Sequence, residues 1–319
     1  MSARVVRVLA PNPSVYTLEG TNTWIVGRDP SVVIDPGPDI PSHLEEVERA
    51  AGRVAAILLT HRHEDHATDA PALAEMTRAP VLSFATDGAT HLLDEQMLTF
   101  GDLSLLVFSV PGHTSDSIAL LEPLNRALFT GDTVLGRGTS FIDPPEGDVA
   151  AYLRSLRRLR DLDARVIYPG HGPAAFRVRE KLDEYLHHRV ERERQVLSAL
   201  GDDARTAEEL VPEIYADYPK EAWPLAARSV LAHLLKLETE GRVRRAERDA
   251  SDDDVRFAPT QTHPCARCGR PVRGAAPLCE KHSLEMLQEP VSAPTRTEAR
   301  SDGHDGAGAA RPTGGSASG

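Results

Sequence analysis

The residues best suited to chemistry crowd together behind one short apolar run. Ile57-Leu58-Leu59-Thr60 leads straight into His61-Arg62-His63-Glu64-Asp65-His66, which packs three imidazoles and an aspartate into six residues. Imidazole nitrogens and carboxylate oxygens are the ligands that borderline divalent cations such as zinc prefer. A buried strand delivering H-x-H-x-D-H into a loop therefore reads as a metal-binding edge. The bland alternative is a chance cluster of surface histidines. The chain has 13 histidines, and the tightness of this pattern disfavours chance.

Other apolar runs end in the same manner, at a polar residue flanked by Gly or Pro. They stop at Asp35-Pro36-Gly37, Pro111-Gly112-His113-Thr114, Thr130-Gly131-Asp132-Thr133 and Pro169-Gly170-His171-Gly172. Glycine lets the backbone turn sharply, while the strand behind it fixes the loop. If these strand ends lie side by side, the loops converge on one rim. Seven potential ligands then meet there: His61, His63, Asp65, His66, His113, Asp132 and His171. That suffices for two metals with an open position on each. Cations about 3.5–4 Å apart can share a hydroxide whose pKa falls towards neutrality, and they polarise the electrophile it attacks. Phosphodiesters, thioesters, lactones and amides all suit such a centre.

The elements that must position these loops are legible as alternating short strands and helices. Strands are expected over Val5–Leu9, Ser14–Leu18, Thr23–Val26, Val32–Ile34, Val81–Phe84, Leu103–Val110, Ser117–Leu121, Ala127–Phe129 and Arg165–Tyr168. A helix over Ser42–Ala51 carries a capping-box pattern in Ser42 and Glu45. Further helices are expected over Asp69–Thr77 and Val149–Leu162, the latter with Leu153, Leu156 and Leu159 at helical spacing.

These motifs resemble the metallo-β-lactamase fold hydrolase superfamily, in the order H-x-H-x-D-H, Pro-Gly-His-Thr, Thr-Gly-Asp-Thr, Pro-Gly-His-Gly. The resemblance implies an α+β fold, an αββα sandwich. It implies one zinc ion held by His61, His63 and His113, a second by Asp65, His66 and His171, and Asp132 bridging the two. Over residues 12–248 the chain is similar to the branch called β-lactamase-like protein two. The matching stretches are Gly20-Thr21-Asn22-Thr23, Gly131–Gly136, Tyr168–Pro173 and Leu231–Val243. That branch carries a small winged-helix-like tail and cleaves single-stranded RNA, so an RNA phosphodiester is the favoured substrate. A small-molecule thioesterase or lactonase, like the hydroxyacylglutathione hydrolases, is the alternative with the same centre. A non-catalytic binding module is disfavoured by the presence of all seven ligands. Only 38 residues separate Asp132 from His171, too few for the nuclease domain that β-CASP enzymes insert there.

Within this centre Asp65 is expected to orient the nucleophile while touching a metal, so Asp65 and Asp132 are the catalytic carboxylates. Asp35, Thr60 and Thr114 are expected to fix the outer ring nitrogens of ligating histidines. An ordinary turn-forming Asp before Pro is an equal reading of Asp35. Glu64, His91, His187 and His188 read as solvated surface residues, and no clear general acid stands out.

The domains expected are residues 1–174 for catalysis, 175–258 for the winged-helix-like part, 259–287 for a small zinc-ribbon-like module and 288–319 for a disordered tail. Phe176–Leu200 reads as a long charged helix, and Thr206 with Glu209 as a capping box for a helix reaching about Asp217. Pro224–Glu240 reads as a third helix stopped by Gly241, with a hairpin wing beyond it. Cys265-x2-Cys268-x10-Cys279-x2-His282 has the ligand types and paired spacing of a structural zinc site, with His263 as a substitute ligand.

Charge narrows the partners. The net charge of −12 is concentrated in residues 1–174, where 23 acidic residues face 14 basic ones. Residues 175–248 are almost balanced, with 15 against 14. Arg242, Arg244, Arg245 and Arg248 could meet a phosphate backbone, but this balance favours a wing that only packs or is solvated, and stable DNA binding is not expected. No run approaches the roughly 18 apolar residues of a membrane helix. The N-terminus lacks the apolar core of a secretory signal, and three cysteines confined to 265–279 form no disulfide framework. A cytoplasmic protein is expected.

Overall fold

Strands that are apolar on both faces must be covered on both faces, and that requirement sets the architecture. The computed structural model describes residues 4–85, 87–246, 255–260, 262–264 and 271–273. The expected zinc module at Cys265, Cys268, Cys279 and His282, the tail from 288 and Arg248 all lie outside the described residues.

The chain begins with β1 (Val5–Leu9), β2 (Asn22–Gly27), β3 (Ser31–Ile34), α1 (Pro41–Ala51) and β4 (Val54–Leu58). It continues through α2 (Glu64–Ala67), α3 (Ala70–Thr77), β5 (Val81–Ser83) and β6 (Thr90–His91). These six strands form one sheet in sequence order, antiparallel through β3 and parallel from there to β6. A second sheet has the order β11-β10-β9-β8-β7. It consists of β7 (Met97–Phe100), β8 (Leu103–Ser109), β9 (Ile118–Glu122), β10 (Ala127–Gly131) and, after α4 (Val149–Arg160), β11 (Val166–Pro169).

Alternate residues along each strand face opposite layers. Trp24, Val26, Val32, Ile34, Ala56 and Leu58 pack against Leu105, Val107, Ile118, Leu120 and Phe129 between the sheets. Their neighbours Ile25, Val33, Ile57 and Leu59 turn outward onto Val47 of α1 and Leu73 of α3. On the far side Phe108, Ala119, Leu128 and Ile167 meet Leu153, Leu156 and Leu159 of α4. The result is the α+β, αββα sandwich.

The next helix, α5 (Val178–Leu200), runs through two cores. Its first half, with Val178, Leu182, Tyr185 and Leu186, completes the sandwich core beside α4. Its second half, with Val196 and Leu200, joins α6 (Ala207–Ile214), α7 (Trp223–Thr239), β12 (Val243–Arg245) and β13 (Phe257–Pro259) around a separate core. Three helices and an antiparallel two-stranded wing form the winged helix. A last pair, β14 (Thr262–Pro264) and β15 (Pro271–Arg273), is antiparallel.

Several local expectations change. Ser14–Leu18 is not a strand but a turn, in which Ser14 Oγ accepts from the amides of Tyr16 and Thr17 at 3.1 Å each. Helix α1 starts at Pro41 without a side-chain cap, so Ser42 and Glu45 form no capping box. The fixed φ of proline at the first helical position does that work. By contrast Thr206 and Glu209 do form their reciprocal box, although α6 ends at Ile214, short of Asp217. His188 is half-buried rather than solvated, and burial, seconded by Arg189 and Arg192, pushes its pKa down to about 4. Within the wing two arginines are paired and Arg244 is exposed. Arg242 pairs with Glu193, and Arg245 Nε donates to Glu238 at 3.0 Å.

One backbone position couples the sheet edge to α4. Gly112, before His113, has φ +139, and a Cβ there would sit 2.3 Å from the Cα of Tyr152. Gly112→Ala is expected to lower stability by roughly 2–4 kcal/mol, combining overpacking with backbone strain. A fall in urea midpoint at unchanged m-value would register it.

Candidate metal centre

Asp35 directly follows β3 and His61 follows β4, its parallel neighbour, so the two loops emerge side by side. The Asp35 carboxylate is buried and accepts three hydrogen bonds. Thr60 donates its amide to Oδ1 and its hydroxyl to Oδ2, both at 2.7 Å, and His66 Nδ1 donates to Oδ2 at 2.9 Å. Asp35 adopts φ 52, a left-handed conformation that Asp tolerates better than most residues. The turn-forming and the supporting readings of Asp35 are therefore both realised in one residue.

Four imidazoles have their Nδ1 atoms occupied by outer partners. His61 Nδ1 donates to Thr60 Oγ1 at 3.0 Å, and His113 Nδ1 donates to the Phe141 carbonyl at 2.7 Å. His171 Nδ1 donates to the Gly20 carbonyl at 3.2 Å, and His66 is held by Asp35. A proton fixed on Nδ1 leaves Nε2 with a free lone pair, which is the tautomer a metal requires.

Those lone pairs converge. His61 Nε2 and His113 Nε2 each lie 3.1 Å from His63 Nδ1. Nitrogens about 2.0–2.1 Å from a tetrahedral ion are separated by about 3.3–3.4 Å, so the trio has the spacing of a ligand triangle. Next to it, His66 Nε2 is 3.3 Å from His171 Nε2. Asp65 Oδ2 stands 3.4 Å from the first and 3.2 Å from the second. Asp132 lies between the groups, with Oδ1 3.4 Å from His66 Nε2 and Oδ2 3.2 Å from His171 and 3.8 Å from His113. Its Oδ1 is buried without a hydrogen-bond partner, an arrangement that a cation would satisfy. Among the described residues, three groups have donor atoms close enough to hold an ion: His61, His63 and His113; Asp65, His66 and His171; and Asp35, His61 and His66. In the last, the protonated Nδ1 atoms already face the Asp35–Thr60 pair, so it is the supporting network.

The electrostatics suit cations. Burial, with help from His66, holds His61 well below its usual pKa, and burial likewise lowers His113. Both are neutral ligands at pH 7. Burial opposes charge on Asp132, yet His66 and His171 outweigh it and hold the carboxyl well below the usual range. Asp65 is pulled down to about 2 against its burial, chiefly by His66. Burial opposes charge on His171 too, but Asp132 lifts it to about 9, and Asp132, Asp65 and Asp35 lift His66 in the same sense. Carboxylates that hold protons on neighbouring imidazoles would hold dications in their place.

All seven potential ligands meet at this rim, as do Asp35 and Thr60. Thr114 does not. Its hydroxyl and amide bond Ser117 at 2.7 and 3.2 Å, bracing the loop after His113 without touching an imidazole. Three supports went unseen in sequence. Two are the carbonyls of Phe141 and Gly20, to which side-chain type gives no clue. The third is Thr21, whose hydroxyl donates to Asp65 Oδ2 at 3.1 Å. Close packing also explains Gly170, where a Cβ would fall 2.3 Å from Asp132 Oδ1.

Asp35→Asn keeps the shape but removes charge from the support of His61 and His66. It is expected to weaken metal binding by about 10–100-fold in a chelator competition titration. Thr114→Ala should leave the affinity unchanged.

Residues 16–171 match the model of the Metallo-beta-lactamase superfamily, and residues 206–252 match the Beta-lactamase associated winged helix domain. A Beta-lactamase-like protein 2 homolog from Caenorhabditis elegans is 32% identical over 262 residues, covering 76% of this chain and 87% of that protein. An Atrochrysone carboxyl ACP thioesterase from Aspergillus chevalieri is 31% identical, over 76% of this chain and 83% of that protein. A metallo-beta-lactamase family protein from Thermus thermophilus shares the fold, with a TM-score of 0.67 at 22% identity over 80% of this chain and 98% of that one. With these relatives, and with its histidines and aspartates gathered at one rim, the chain belongs to the metallo-beta-lactamase superfamily as a metal-dependent hydrolase that carries the associated winged helix domain.

Proposed function

We propose that the protein is a cytoplasmic dinuclear zinc hydrolase that cleaves phosphodiester bonds in single-stranded RNA. The observation that carries the hydrolytic part is the meeting of two donor groups across Asp132, whose inner oxygen is buried without a hydrogen bond. His61, His63 and His113 would hold one ion, and Asp65, His66 and His171 the other, with Asp132 between them. When bound, such a pair supplies a water acidic enough to ionise near neutrality and Lewis acidity for the electrophile.

The remaining work belongs to the chain. Asp65, fixed by Thr21, orients the attacking water beside His171. Neutral His61 and His113, locked in one tautomer by Thr60 and Phe141, keep their lone pairs directed inward without needing to lose a proton first. Asp132, ionised well below pH 7, keeps the two donor groups together. RNA is the favoured substrate because of the likeness to the Beta-lactamase-like protein 2 homologs, the branch whose resemblance implies cleavage of single-stranded RNA.

A second reading has its own support. Relatives at 31–33% identity are named as acyl carrier protein thioesterases, and a thioester carbonyl suits the same centre. The two are separated by assaying purified protein against a labelled single-stranded RNA and a panel of acyl thioesters. RNA cleavage is expected. Intact RNA alongside thioester turnover would reverse the order. Elemental analysis should find two zinc ions per chain beyond any held by the cysteine-rich segment. Asp132→Ala is expected to reduce turnover by at least roughly a hundredfold, with the far-UV circular dichroism unchanged. Full turnover by that variant would remove Asp132 from its bridging place.

A further inference from the structure

Beside the metal-binding rim lies an aromatic surface that the hydrolytic chemistry does not use. Tyr16 is 53% exposed and its neighbour Val15 80% exposed. The Tyr16 ring lies 6.3 Å from the ring of Phe141, tilted by 55°. Phe141 is the residue whose carbonyl holds His113. The pair therefore lies next to the backbone support of His113 in the first donor group.

The loop bearing Tyr16 is well anchored. Ser14 Oγ closes its turn, and Thr17 donates to the Asn12 carbonyl at 2.5 Å. Asn12 is bonded to Thr21 twice, by its Nδ2 to the hydroxyl and by its Oδ1 from the amide, at 3.0 and 2.9 Å. Thr21 in turn holds Asp65, and Gly20 holds His171. On the other side Phe141 is braced through its neighbours, since Arg189 donates to the Ser140 carbonyl and Arg228 to Asp143. A tyrosine ring left about half in water on an anchored loop is open to a partner. It is what a recognition platform requires.

Charge points the same way. The catalytic part is strongly acidic, and Arg242 and Arg245 of the wing are tied to Glu193 and Glu238. At the rim itself Arg62 is paired with Asp116 and Glu146, and Arg137 with Glu19, so a polyanion lying there would be held largely through its bases. Unpaired bases present π-faces of any sequence, and stacking on an aromatic side chain is tolerant of which base arrives.

We propose that Tyr16, backed by Phe141, is a stacking subsite for an unpaired nucleobase flanking the scissile phosphodiester, and that it sets the preference for single-stranded RNA. This inference rests on the RNA reading above.

The test is steady-state cleavage of a labelled single-stranded RNA by the zinc-loaded full chain and its Tyr16→Ala and Tyr16→Phe variants. Loss of the ring is expected to raise KM about tenfold, within the roughly 5- to 150-fold span of a lost base–aromatic stack, with kcat little changed. Tyr16→Phe should restore the KM. An abasic substitution beside the cleaved bond should raise KM for the wild type but add little for Tyr16→Ala, because both remove the same contact. KM should rise less than about tenfold between 50 and 200 mM salt, against about 10³–10⁵ for a protein making 6–10 phosphate contacts. If the wild type cleaves RNA and Tyr16→Ala matches its KM, the stacking subsite falls while the RNA activity stands. If the wild type leaves RNA intact, both fall.

Discussion

A single buried carboxylate organises the metal-binding rim. Asp35 collects the amide and hydroxyl of Thr60 and the imidazole of His66. Through Thr60 it also governs His61. A carboxyl group in a dry interior is tolerated only when its polar atoms are engaged. With the parallel pairing of β3 and β4, those bonds tie the end of β3 to Thr60 and His66 on either side of the metal-binding loop. Four of the five imidazoles at the rim have their outer nitrogen already engaged.

Convergence of like groups is unfavourable by itself. Imidazole nitrogens 3.1 Å apart, and a carboxylate with a buried oxygen lacking a hydrogen-bond partner, represent polar crowding that folding must impose against its own tendency. The sandwich imposes it with strands that are apolar on both faces, such as β4 and β10, which end abruptly at the rim. The rigidity is in the sheets, and the chemistry is in the few residues just past their ends.

Much of this was legible in the sequence because two signals coincided. Apolar runs marked the strands, and Gly- or Pro-flanked His and Asp marked where they stopped. Asp35 and Thr60 were readable for the same reason, being polar residues at strand ends. Thr114 resembled them by position but turns to Ser117, which only the loop's path decides. The carbonyls of Gly20 and Phe141 were illegible because every residue has one. The Ser14–Leu18 turn was mistaken for a strand since its Val, Tyr and Thr favour extended structure, whereas Ser14 Oγ captures the following amides. In α1 the opposite happened, with proline displacing the cap that the Ser42 and Glu45 spacing suggested.

Helix α5 has a bearing on the behaviour of the whole chain. Because one continuous rod of 23 residues contributes side chains to both hydrophobic centres, neither can loosen without pulling on the other. The winged helix is thus less a tethered accessory than a splint. A hinge between the two units would first have to break the helix that joins them.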